Sequence, residues 1–209
     1  MFLLNYLKNE LKYISLKLKW KKLNKHNFTT IGNFFDLSKV SIGKGTYGKL
    51  NIKTFGSKKE SLKIGNYVSI AANVTFILGG NHDYKTLSTY PFKKKFFNID
   101  ESLSKGPIIV EDDVWIGNDV LVLSGVKLGK GSVIAARSVV TKDIEPYSIV
   151  AGNPCKIIKY RFEEDIIKAL NEIDFNLMDK PFFINNEKLM YSKIDIEVIE
   201  KIKNELIRK

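Results

Sequence analysis

Few side chains in this 209-residue sequence have the chemistry to react: two histidines, His26 and His82, and one cysteine, Cys155. His82 stands in the stretch "GGNHDYKTLSTYPF", just after an aliphatic run that stops at Gly79. Asn81 and Asp83 flank it, and Tyr84, Tyr90 and Phe92 follow. An imidazole is suited to take the proton from a hydroxyl or amine as that group attacks a carbonyl, a role worth about 10² to 10⁴-fold. A neighbouring carbonyl or carboxylate would hold its tautomer. Asn81 and Asp83 suit either a substrate contact or the turn itself, since short polar side chains bond their own backbone. His26 lies in no motif and reads as structural. A single cysteine leaves neither a disulfide framework nor a thiolate metal site, so a reducing compartment is expected.

What must position His82 is a repeat of period six. Val110, Ile116, Val122, Leu128, Ile134 and Val140 form one column. Val114, Val120, Val126, Ser132, Ser138 and Ile144 form a second, four places on. An earlier run of the same kind covers Ile64, Ile70 and Phe76. Six is wrong for an α-helix and too long for simple strand alternation. It fits a chain that runs as a short strand, turns about 120° and repeats, so that three hexads close one coil whose aliphatic column points to the axis. Gly65, Gly117 and Gly129, each after a column residue, suit crowded corners. Between Phe76 and Val110 the spacing is not a multiple of six, so residues 79–107 must leave the coil as a loop. Its aromatics argue against disorder. Tyr84, Tyr90, Phe92, Phe96 and Phe97 suit a small cluster that staples the loop or a wall for a substrate. Lys93 to Lys95 suit a solvated run or attraction for an anion.

The run "VEDDVWIGNDVLVLSGVKLGKGSVIAARSVVTKDIEPYSIVAGNPCKIIKYRF", with "NHDYKTLSTYPF", resembles the hexapeptide-repeat acyltransferases, in the branch that holds the chloramphenicol and streptogramin acetyltransferases and related sugar O-acetyltransferases. The resemblance implies an all-β solenoid, a left-handed parallel β-helix with a protruding loop. It implies acetyl-CoA as donor, lying between two subunits of a homotrimer, and His82 as general base. It places Trp115 of "VWIG" near the pantetheine end of the cofactor, with Asn118, Ala136, Thr141 and Lys142 along the arm and Lys156 and Lys159 toward the phosphates. Asn81, Asp83, Tyr84, Tyr90 and Phe92 fall on the acceptor side. Relatives usually carry glycine where this chain has Arg137, which bears on the cofactor groove. No metal is implied: a zinc β-helix enzyme of the γ-carbonic anhydrase type needs three histidines, and the chain has two.

The formal charge of +11 is unevenly spread. Residues 1–25 hold seven lysines against Glu10 alone, with Leu4, Leu7, Leu11, Ile14 and Leu18 at helical spacing. That describes an amphipathic basic segment over residues 1–30, which would dock on its own domain, a partner subunit or an anionic membrane surface. Nucleic acid is not expected to be a partner. The apolar run from Met1 to Leu7 is far shorter than the roughly 20 residues that cross a bilayer and lacks the order of a signal peptide. The resemblance implies that residues 31–161 form the acyltransferase domain. From Phe162 helical spacing takes over through Ile173, Pro181 interrupts it, and a second helix opens near Asp195. Residues 162–209 are expected to form a C-terminal helical cap. The leading reading is a cytoplasmic acetyl-CoA-dependent O-acetyltransferase for a sugar or glycan hydroxyl, with the inner face of the membrane as a further location; the alternatives are an antibiotic (chloramphenicol or streptogramin) O-acetyltransferase and an inactive trimeric scaffold.

Overall fold

The structure, a computed structural model, describes residues 2–208. It divides into two compact units, Met1–Ile158 and Lys159–Lys209.

The first unit opens with helix α1 (Phe2–Leu23) and strand β1 (Phe28–Ile31). The coils then follow in chain order. The first is β2 (Val40–Ile42) and the long β3 (Tyr47–Lys53), and the second is β4 (Leu62–Ile64), β5 (Ser69–Ile70) and β6 (Thr75–Ile77). After the loop come β7 (Ile108–Val110), β8 (Trp115–Ile116) and β9 (Leu121–Val122), then β10 (Lys127–Leu128), β11 (Val133–Ile134) and β12 (Val139–Val140). β13 (Ser148–Gly152) and β14 (Cys155–Tyr160) close the series. The strands of each coil pair in parallel with those of the next, which makes three faces. β3, β5, β8, β11 and β13 form the first. The C-terminal half of β3 with β6, β9 and β12 forms the second. β2, β4, β7 and β10 form the third. Because β3 turns from the first face onto the second, one strand serves both.

The register explains the period. Val110 pairs with Leu128, 18 residues on, so one coil is three hexads. Both sequence columns are buried, the aliphatic one almost completely. Apolar burial of about 25 cal/mol per Å² along this stacked axis is the main driving force for the unit. Corners follow the same period: Asp113, Asp119, Gly125, Gly131 and Arg137, each six residues apart, all have positive φ. The glycines that follow column residues answer to crowding instead. A Cβ on Gly117 would lie 2.7 Å from the amide nitrogen of Ala136 in the next coil.

Ile64 pairs with Val110, 46 residues on, so 28 residues are inserted into an 18-residue coil. They contain one short helix, α2 (Phe92–Phe97).

Helix α1 belongs to the first unit, and β1 pairs with β3 from Phe28. One expectation needs correction: the helix docks by a face other than the leucine stripe. Trp20 is buried with Tyr13 and Leu16 against the core, while Leu4, Leu7, Leu11, Ile14 and Leu18 are all exposed. Apolar residues occupy two opposite faces, and aromatic anchors with hydrogen-bonding tips took the interior one.

The second unit holds α3 (Glu164–Asn171), α4 (Lys180–Asn185), α5 (Glu187–Met190) and α6 (Ile196–Ile207). Leu170, Ile173, Met178, Phe182, Ile199, Ile202 and Leu206 are its buried apolar residues. Asp195 caps α6 by accepting from the Val198 amide at 2.8 Å. Pro181 does not simply interrupt a helix; it sits in the first turn of α4, where its missing N–H costs nothing.

Candidate active site

His82 leaves β6 at the corner between the second and third faces, and backbone contacts fix that root. Asn81 and Leu103 exchange both amide hydrogen bonds, at 3.0 and 3.1 Å, closing the 28-residue insertion at its neck. Asn81 Nδ2 donates to Ser124 Oγ at 3.2 Å, tying the neck to the same corner one coil on. The two glycines before it provide close packing as well as the turn. A Cβ on Gly79 would lie 2.3 Å from Glu60 Oε1, and one on Gly80, where φ is +82°, would lie 2.9 Å from the Phe55 ring.

Glu60 is the anchor beneath. Its carboxylate is fully buried, and it accepts from the amides of Phe55, Gly56 and Ser57 at 3.0 to 3.3 Å and pairs with Lys39 at 3.4 Å. A buried carboxylate persists only when so compensated. Its effect is to hold Phe55 against the loop root.

His82 itself is exposed, and its Nδ1 lies 2.5 Å from the carbonyl oxygen of Thr89. A carbonyl can only accept, so Nδ1 carries the proton and Nε2 is left with its lone pair. Two recesses share His82, Pro91, Asp100 and Glu101 in their walls, one of about 270 Å³ and one of about 570 Å³. Phe55 and Lys94 line the smaller; Asp83, Tyr90, Phe92 and Lys93 line the larger. Tyr90, Phe92 and Phe96 form an aromatic cluster with ring centroids 4.9 to 6.4 Å apart. Lys95 lines neither recess, and two carboxylates, Asp100 and Glu101, offset Lys93 and Lys94.

The residues expected on the acceptor side therefore divide. His82 lines both recesses, Asn81 the smaller alone, and Tyr90 and Phe92 the larger alone. Asp83 also reaches the larger recess, but its carboxylate is engaged by the Lys85 amide at 2.9 Å, the bond of a turn. Tyr84 is 80% exposed and lines neither recess. Sequence reasoning missed Phe55, Asp100 and Glu101. The acid pair after the lysine run was a signal for the last two, while nothing local marks Phe55.

The residues expected along the cofactor are spread over the coils and do not meet in one place. Trp115 projects from the first face, 57% exposed, with Asn118 and Ala136 on the corner that follows it. Asn118 Oδ1 accepts from the Ala72 amide at 3.0 Å, stitching successive coils. Thr141 and Lys142 follow β12, at the corner where Asn81 and His82 also leave. Lys156 and Lys159, on β14, are exposed on either side of the division between units. Burial pushes the Cys155 thiol up, away from the reactive thiolate. Among the described residues no cluster of His, Cys, Asp and Glu is arranged to hold a metal ion.

Stacked hexad coils with a histidine at the neck of an insertion define a hexapeptide-repeat protein. Residues 107–142 match the family described as bacterial transferase hexapeptide (six repeats). The chain is 41% identical over 124 residues to a chloramphenicol acetyltransferase from Klebsiella aerogenes, covering 56% of this chain but only 59% of that relative. It is 36% identical over 146 residues to a probable macrolide acetyltransferase from Lysinibacillus sphaericus, covering 66% of this chain and 81% of the other. Among solved structures, a maltose O-acetyltransferase from Clostridium difficile 630 is similar, with a TM-score of 0.52 and 28% identity over 66% of this chain and 68% of that one. The chain belongs to the hexapeptide-repeat transferase family.

Proposed function

We propose that the protein is an acetyl-CoA-dependent O-acetyltransferase that acts on a hydroxyl of a sugar or glycan intermediate. The observation that carries this reading is the Thr89 carbonyl on His82 Nδ1, which leaves Nε2 to take the acceptor's proton as its oxygen attacks the thioester carbonyl. The acetyl group passes to that oxygen and CoA leaves as the thiol. Asn81, Asp100 and Glu101 give the recess hydrogen-bonding groups for a polyol, and the similarity to a maltose O-acetyltransferase points the same way.

The working form in this proposal is a left-handed β-helix assembled as a homotrimer. Two observations support a contact between copies. His82 and Thr141 leave one corner, whereas Trp115, Asn118 and Ala136 lie across the second face, so a groove between two copies would unite what one chain keeps apart. The inserted loop buries nothing between Asn81 and Lys105, yet exposes Tyr84, Leu87, Phe96, Phe97 and Ile99, an apolar surface that calls for a partner. Acetyl-CoA would lie in that groove along Trp115, Asn118, Ala136, Thr141 and Lys142, with Lys156 toward its phosphates. Supply of acetyl-CoA places the reaction on the cytoplasmic side.

An antibiotic acceptor is the second reading, favoured by relatives named as chloramphenicol and macrolide acetyltransferases and by the aromatic wall of Phe55, Tyr90 and Phe92. Thiol release from acetyl-CoA, measured against free sugars, nucleotide sugars, chloramphenicol and a macrolide, tests both. Turnover with sugars alone is expected, and turnover confined to an antibiotic would replace the first reading by the second. No release with any of them, despite acetyl-CoA binding, would refute both in their soluble-acceptor form.

A further inference from the structure

Among the described residues, helix α1 is held by one face. Trp20 Nε1 donates to Thr29 Oγ1 and Tyr13 Oη to the Ile31 carbonyl, each at 3.1 Å, and Trp20 meets Phe35 edge-on. Those contacts fix how the helix is rotated about its axis. The face turned away then carries Leu4, Leu7, Leu11, Ile14 and Leu18, each at least half exposed. At 3.6 residues per turn they make a straight apolar stripe about 21 Å long, opposite Trp20. Lys8, Lys12 and Lys19 run along one flank of the stripe and Lys17 and Lys21 along the other, with Glu10 the sole acid.

We propose that this stripe lies in the plane of an anionic lipid surface. A leucine ridge between two rows of lysines matches the boundary of such a membrane, where apolar side chains enter the acyl region and lysine stems reach back to the phosphates. Charge decides between lipid and a second copy of the chain. Two copies meeting by this face would each bring the six lysines of α1 against one acid, and the repulsion would oppose the apolar gain, whereas acidic lipids supply the missing counter-charge. The helix would lie along the surface, since no helix among the described residues is long and apolar enough to cross a membrane.

The test uses the full chain and sedimentation with vesicles of phosphatidylcholine, with and without phosphatidylglycerol. Binding to the anionic vesicles is expected to exceed that to neutral ones by at least about tenfold and to be lost in high salt. The triple variant Leu7→Asn, Leu11→Asn, Leu18→Asn spares the docked face and is expected to lower binding about tenfold, with the mass in sedimentation velocity unchanged. Equal binding to both vesicle types, wild-type binding by the leucine variant, or a fall in its oligomeric mass would overturn the proposal, the last by placing the stripe between copies. If that variant fails to fold, Lys8→Gln, Lys12→Gln, Lys19→Gln decides: undiminished binding to anionic vesicles overturns the proposal. Turnover with a soluble acceptor is expected to be the same in all variants, so the outcome is independent of acetyl transfer.

Discussion

At the scale of single residues, the base role proposed for His82 rests on a tautomer, and the tautomer on the Thr89 carbonyl. Replacing His82 by alanine is expected to lower kcat at least about a hundredfold while leaving the KM for acetyl-CoA within about twofold, because the ring serves the acceptor and not the donor. Steady-state kinetics with an acceptor that supports thiol release check this; turnover near the wild-type value would remove His82 from the base role. The position of His82 could be read in the sequence because a strict period broke just before it. The recess around it could not. Phe55 reaches the site through a turn held by Glu60, and Asp100 returns to it across the whole insertion. Contacts over such separations leave no local pattern.

At the scale of elements, the hexad columns were legible because side-chain direction repeats with the coil and solvent exclusion selects the residues. The docking face of α1 was not, since both of its apolar faces obey helical spacing and only the tertiary partners Thr29, Ile31 and Phe35 choose between them. Arg137 joins sequence and element. It occupies a corner with φ of 60°, its side chain is 86% exposed, and its contact with Asp119 is 3.9 Å long. An exposed pair of that length contributes little, while a left-handed conformation costs a side-chain-bearing residue about 1 kcal/mol or more. Arg137→Gly is therefore expected to stabilise the fold by about 1 kcal/mol, raising Tm by a few degrees. Thermal unfolding checks the sign; a lower Tm would mean that the arginine is held by more than its backbone allows.

At the scale of the whole molecule, the separation of the two corners makes the proposed site a property of the assembly. His82→Ala removes the base from one corner, and Ala136→Trp would obstruct the other. Each variant alone is expected to be inactive, but refolded together in equal amounts they should regain about a quarter of wild-type turnover, the fraction of random interfaces with both halves intact. Failure to regain any would place both halves in one chain. The coil length also reaches beyond catalysis, to the way such a gene can change. Loss or gain of eighteen codons in frame removes or adds a storey and leaves every remaining residue on its own face, whereas a change of six turns all that follows by a third of a revolution. Lineages of this architecture should therefore differ in height by whole storeys, with insertions of arbitrary size, like the one that carries His82, admitted only at the corners.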